Sequence, residues 1–384
     1  MIRSKAAVSL PPSLIRRVFY CPIQATPKEK NSQIELARST YLCFLPSKKP
    51  ATPLHDAQLG RYFFVLKLPQ IRKEISMRFC KPAITLQEQV QRLRDCGLRI
   101  TDHSAALTAL ENIGYYRLSA YTYPFREGTS RDSFKPETTL EQIIRVYDFD
   151  RELRLLVTDA LERVEIGIRS RLVNHTCLYY AHPHWFMDAS NFHPKFNHRA
   201  FLKKLESHLN IREDKTTHQR VLPTKHPETF IEHYYQKYAD PYLPPFWMSV
   251  EVLTLGSLSH LFQGLRDSQL KKEIAAPFGV PAKIFSSWLH AISHLRNTCA
   301  HHGRLWNRKF SISPPIAKKH QGILYHPHRF EGHAVVIVEM LDACSPHHYW
   351  RQRLNTVLDA YPEIHHQAMG FPENWKSFPF WDLA

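Results

Sequence analysis

The stretch Leu295–Arg308 reads LRNTCAHHGRLWNR and brings Arg296, Asn297, His301, His302, Arg304 and Arg308 close together in the chain. It follows a segment, Phe285 to Leu295, in which Phe285, Leu289, Ile292 and Leu295 recur at helical spacing. Polar chemistry therefore sits where a buried helix ends. At about 100° per residue, Asn297 and His301 fall one turn apart on the same face, with Arg296 on its flank. An imidazole that exchanges a proton near neutral pH, beside a permanent cation that holds a phosphate, suffices to cleave an RNA backbone without metal. Spacing alone fits a plainer reading slightly better: polar residues at a helix C-terminus, where cations suit the macrodipole.

Other chemistries have weaker signals. His290 and His294 stand four apart, near Cys299, His301 and His302, yet there is no H-E-x-x-H and no paired-cysteine spacing, so no metal is expected. No serine or cysteine lies in a strained turn beside a glycine partner, and no glycine-rich phosphate loop is present. No cofactor is expected.

The formal net charge of +16 is unevenly spread: residues 1–76 contribute +9 and the remaining residues +7. The body is mildly basic, which is compatible with a polyanion bound at a local patch but does not require one. The 7 cysteines are scattered and odd in number, which points to a reducing, cytoplasmic setting. No apolar run approaches the ~18–20 residues that a membrane span needs, so no membrane partner is expected.

Residues 1–76 read as a poorly structured basic extension with dispersed prolines, and Met77 is an alternative natural start. From Lys81 the texture becomes helical. Thr85-Leu-Gln-Glu88 is a capping box for a helix ending at Gly97, and a second helix runs from about Asp102 to a stop at Gly114. The run Tyr115–Arg126 interleaves aromatics with arginine; a buried aromatic junction fits it better than base stacking. A box at Thr138-Thr-Leu-Glu141 opens the longest periodic segment, about Leu140 to Asn174. There Glu162, Glu165 and Arg169 read first as a surface ion-pair ladder, and second as support for the Arg/His cluster.

Residues 180–245 are broken by prolines, with one helix near Arg199–Asn210 and an exposed basic loop from Arg212 to Lys225. One apolar helix is expected from Pro245 to about Leu265. Lys271–Leu289 imitates a helix-turn-helix, but its second helix presents Ile284, Phe285, Trp288 and Leu289, which suit a core rather than base edges. Further helices are expected near His333–Asp342 and Pro346–Ala360, and the aromatic tail Met369–Trp381 should fold back on the body.

Several ordered motifs carry a resemblance. They are Lys81-Pro-Ala-Ile-Thr-Leu-Gln-Glu-Gln, Tyr115-Tyr-Arg-Leu-Ser, Tyr147-Asp-Phe-Asp-Arg-Glu-Leu-Arg, Asp159-Ala-Leu-Glu-Arg-Val-Glu, the Arg296–Arg308 stretch and Met369-Gly-Phe-Pro-Glu-Asn-Trp. Together they resemble the Abi-like abortive-infection family (AbiD/AbiF type), anti-phage proteins of the all-helical HEPN superfamily. The resemblance covers roughly residues 80–384. It implies an all-α, HEPN-like helical bundle with additional helices and long proline-rich loops. It also implies a metal-independent endoribonuclease in which Arg296, Asn297 and His301 match the superfamily's Arg-x4-6-His motif. His302, Arg304 and Arg308 are assigned to RNA backbone contacts. The implied partners are RNA, cellular or phage, and a second copy of the chain in a homodimer that places two motifs around one cleft. A small RNA or an antitoxin as regulator is left open, and the rival reading is a non-catalytic RNA-binding or scaffold protein of the same fold.

Overall fold

The computed structural model describes residues 81–128, 132–210, 229–320 and 326–381. The N-terminal extension, the alternative start at Met77 and the basic loop Arg212–Lys225 lie outside the described residues.

Local capping sets the first elements. Helix α1 spans Leu86–Asp95, and its box closes as expected: the Glu88 N–H donates to Thr85 Oγ1 at 3.2 Å, and the Thr85 N–H to Glu88 Oε2 at 2.7 Å. Helix α2, His103–Asn112, starts on the Asp102 cap, and Gly114 at φ 91° turns the chain into the short α3, Tyr115–Ser119. Two-residue strands β1, Arg126–Glu127, and β2, Ser133–Phe134, pair antiparallel with Arg126 opposite Phe134. Helix α4 then runs over 41 residues, Leu140–Tyr180.

The cap of α4 is shifted by one residue from the expected box: Thr139 and Gln142 close it instead of Thr138 and Glu141. Both registers satisfy the same pattern, and Thr138 instead donates its hydroxyl to the Lys135 carbonyl. The far end lies beyond Asn174, because no breaker precedes Ala181, which adopts a left-handed φ of 49°.

Helices α5, His198–His208, and α6, Phe230–Lys237, follow. The single apolar helix expected after Pro245 is two: α7, Phe246–Ser249, and α8, Leu255–Gly264, separated by an extended Leu253. Thr254 caps α8 by accepting from the Ser257 N–H, so the chain restarts there even though its apolar period continues. Next come α9, Ser268–Ala275, and, after Gly279 at φ 64°, α10, Ala282–Ala300. Phe285, Trp288 and Leu289 of α10 are buried, so this face is core and not a DNA reader. Helices α11, Phe330–Cys344, and α12, Trp350–Asp359, close the order, and the tail returns with Met369, Phe371, Trp375 and Trp381 buried.

The fold is all-α. Helix α10 lies at its centre, packed against α8, α4 and α11. Each fully buried leucine, isoleucine or phenylalanine on these faces contributes about 1.5–3 kcal/mol of transfer free energy. Gly167 of α4 lets α11 approach, since a Cβ there would lie 2.6 Å from the Cys344 sulfur. Among the described residues no helix is long and apolar enough to cross a membrane.

Candidate functional site

Helix α10 delivers the candidate residues at its C-terminal end. Arg296 and Asn297 lie on its last turns and His301 is its C-cap. The helix ends in a Schellman arrangement: the His302 N–H donates to the Cys299 carbonyl at 2.9 Å and the Gly303 N–H to the Thr298 carbonyl at 2.7 Å. The left-handed position usually held by glycine is occupied by His302 at φ 55°. A side chain there costs roughly 1 kcal/mol or more, so other contacts must hold the turn.

Arg117 of α3 donates to the His302 carbonyl at 2.9 Å. Gly303 sits where a Cβ would come within 2.9 Å of Thr298 Cγ2. Beyond it, the Leu305 and Trp306 N–H groups donate to Asp150 Oδ1 at 3.0 and 2.6 Å. Asp150 is fully buried on α4, where its Oδ2 accepts from the Tyr121 hydroxyl at 2.7 Å and from Arg154. Burial raises the Asp150 carboxyl above the ordinary aspartate range, opposed by Arg154 and the Trp306 N–H. Four donors and no acceptor surround it, which is the environment of an ionised carboxylate. The turn after the motif is thus bound to the middle of the longest helix.

A second acid on α4 meets the motif directly. Glu165 Oε2 lies 3.9 Å from Arg296 Nε, and Glu165 Oε1 accepts from Arg169 at 2.6 Å. Arg169 also donates to the Leu253 carbonyl at 2.9 Å, in the break between α7 and α8, and pairs with Glu251 at 3.5 Å. The Glu165 side chain is 11% exposed and that of Arg296 40%. Glu165 therefore belongs beside the Arg/His cluster, whereas Glu162 is exposed.

The arrangement can be stated residue by residue. The Arg296 guanidinium reaches Asn297 Oδ1 only at 3.5 Å, and the His301 N–H donates to the Asn297 carbonyl at 3.0 Å, which sets the two one turn apart. Asn297, His301 and His302 are exposed. Within the described residues, the His301 ring makes no hydrogen bond. Arg304 is part-buried, with its guanidinium on the carbonyls of Ala120 and, at 3.5 Å, Asn307. Arg308 donates to the Arg304 carbonyl at 3.3 Å and lies 5.4 Å from the Phe310 ring. The motif thus presents one guanidinium, one amide and one imidazole on open surface, above a turn whose backbone is fixed from below.

Neighbouring groups narrow the chemistry. Burial pushes the Cys299 thiol up to about 12, so it is no nucleophile. Burial, then the charges of Arg308 and His290, hold the His294 imidazole below its ordinary range. Among the described residues no group of three or more His, Cys, Asp or Glu could hold a metal ion. The aromatic run is mixed: Tyr121 is buried in the Asp150 network, while Tyr116 is 91% exposed near the Arg117 contact.

Asp150, Arg154, Tyr121 and Arg117 were not legible as site residues from spacing. The available signal was that Asp150 shares the buried stripe of Val146, Leu153 and Val157, where an unpaired carboxylate would be costly.

The sequence model of Abi-like proteins matches residues 108–307, a stretch from within α2 to Asn307 that includes Asp150, Glu165 and Arg296–His302. No curated protein and no solved structure matches the chain significantly.

Proposed function

This chain belongs to the Abi-like protein family, and we propose that it is a metal-independent endoribonuclease acting in phage defence through Arg296 and His301, on an HEPN-like helical scaffold. Membership itself points to abortive infection. The nuclease reading rests on the end of α10, where Arg296 lies 3.9 Å from Glu165 and, five residues on, an exposed His301 opens a turn anchored to Asp150.

In the reaction, a ribose 2′-oxygen attacks the adjacent phosphorus while its proton passes to an imidazole. The bond from phosphorus to the 5′-oxygen breaks, and that oxygen takes a proton from a second acid. The product is a 2′,3′-cyclic phosphate. Arg296 stabilises the charge that builds on the phosphoryl oxygens, and each proton transfer through His301 is worth roughly 10²- to 10⁴-fold. Asn297 supplies an amide to orient the phosphate or the ribose.

One imidazole does not serve both ends of an in-line displacement, so a homodimer brings the second His301. His302 and Arg308 then contact the RNA backbone. Arg304 reaches a phosphate only by releasing the carbonyls of Ala120 and Asn307.

The His301 ring, which makes no hydrogen bond among the described residues, favours a second reading, in which the family fold binds RNA without cutting it, because a general base is usually oriented by a hydrogen bond to its far nitrogen. His301→Ala separates the two. Purified wild-type protein should cleave RNA in EDTA, and the variant should still bind RNA while losing at least 10²-fold in cleavage. Equal cleavage by both proteins would remove His301 from the mechanism. Binding without cleavage by the wild type would leave the scaffold reading.

A further inference from the structure

His290, His294, Asn297 and His301 follow one another at three- and four-residue steps, so they form a single stripe along α10. His290 and the His301 end are separated by about 16 Å of helix. At the His290 end lies a cavity of about 540 Å³ between α10 and the loop that follows Phe310. Its size falls within the roughly 300–1,000 Å³ typical of small-ligand sites.

The lining has two kinds of surface. Pro314 and Pro315 supply flat apolar wall, while Gln263, Ser287, His290 and Ser313 supply hydrogen-bonding groups. Among the described residues no carboxylate lines it. The wall is held in place, because the buried Trp288 indole donates to the Pro315 carbonyl at 3.1 Å. Ser313 Oγ is fixed on its other side by His328 Nδ1 at 3.1 Å. Near the His301 end, the Arg308 guanidinium would lie 3.3 Å from a Cβ at Gly303, and its charge helps to lower the His294 imidazole.

We infer that this cavity receives one nucleotide of a single-stranded RNA whose scissile phosphate lies at Arg296 and His301, with Arg308 on an intervening phosphate. The inference rests on the RNA reading of the motif and adds a subsite to it. A planar base packs on the proline wall, and the hydroxyls, the Gln263 amide and the His290 ring meet base edges or ribose hydroxyls. The described lining carries no acid that would repel a polyanion. The span corresponds to roughly five nucleotides at the 3.4 Å spacing of a stacked strand, and fewer when the strand is stretched.

The test uses the full chain carrying His301→Ala and RNA oligonucleotides lengthened one residue at a time on each side of a cleavage site mapped with the wild type, or of a fixed central position where the wild type cuts nothing. Affinity should rise about tenfold, the lower end of what one stacked base contributes, when the strand first reaches the cavity on one side only. Ser287→Trp, which fills the cavity, and His290→Ala, which truncates an exposed lining side chain, should each reduce that step, the first to near unity. Far-ultraviolet circular dichroism melts confirm that both remain folded, and 4-thiouridine placed at the step position should crosslink to the segment 312–316. A step that is absent, or retained in full by both variants, overturns the subsite. Wild-type cleavage is read separately. A preserved step with no cleavage sinks the nuclease and leaves the subsite, while cleavage without the step does the reverse.

Discussion

Among the acid–arginine pairs that helix α4 carries at four-residue spacing, Asp150–Arg154 and Glu165–Arg169 do different work. Asp150 and Arg154 are closed away, with side chains 0% and 8% exposed, and the acid is saturated by Tyr121 and the N–H groups of Leu305 and Trp306. Glu165 and Arg169 are more open, at 11% and 19%, and Glu165 also faces Arg296, which is 40% exposed. The closed pair fixes backbone and the open pair steadies a side chain. A reactive turn on the surface needs both: a peptide frame that does not yield, and a cation that still reaches solvent and substrate.

The largest expected effect belongs to the closed pair. Asp150→Asn leaves Arg154 buried without its counterion and weakens four hydrogen bonds, which should lower unfolding free energy by about 3–5 kcal/mol in urea titrations. A loss below about 1 kcal/mol would show that the buried network does not fix the turn. Glu165→Gln should act the other way round. Cleavage should fall about tenfold, the equivalent of roughly 1.4 kcal/mol in the barrier, while the unfolding midpoint moves less than for Asp150→Asn. The reverse order of stability losses would break the comparison. The smallest effect is the coupling between Glu165 and Arg296. Their 3.9 Å contact is partly solvated, so a double-mutant cycle on stability with Glu165→Gln and Arg296→Gln should give a coupling under about 1 kcal/mol. A coupling near 3 kcal/mol would mean that this pair also holds the fold.

The same contrast explains what could be read from the chain. The Thr85–Glu88 cap, the period of α4 and the buried face of α10 are local, and each is written in residues three or four apart. The break at Leu253 was hidden because apolar residues continue through it, although Thr254 carried a capping signal. The motif at Arg296–His301 was legible because its residues lie on one helix end. Asp150 was not, since the N–H groups it accepts from lie more than 150 residues further along the chain. Glu165 was ambiguous for a related reason: an acid four residues before an arginine fits a solvated ladder as well as it fits a support for Arg296. Sequence spacing gives the partner within a helix, and only tertiary packing gives the partner across helices.

The most direct measurement is the fate of an RNA oligonucleotide carrying a single 2′-deoxyribose on the 5′ side of the scissile phosphate, incubated with wild-type protein in EDTA. If Arg296 and His301 drive attack by the neighbouring 2′-oxygen, the all-ribose strand is cut to a 2′,3′-cyclic phosphate end and the substituted strand stays intact at that position. Cutting of the substituted strand at the same place, or ends bearing a 5′-phosphate, would show that water is the nucleophile and would contradict the proposed chemistry.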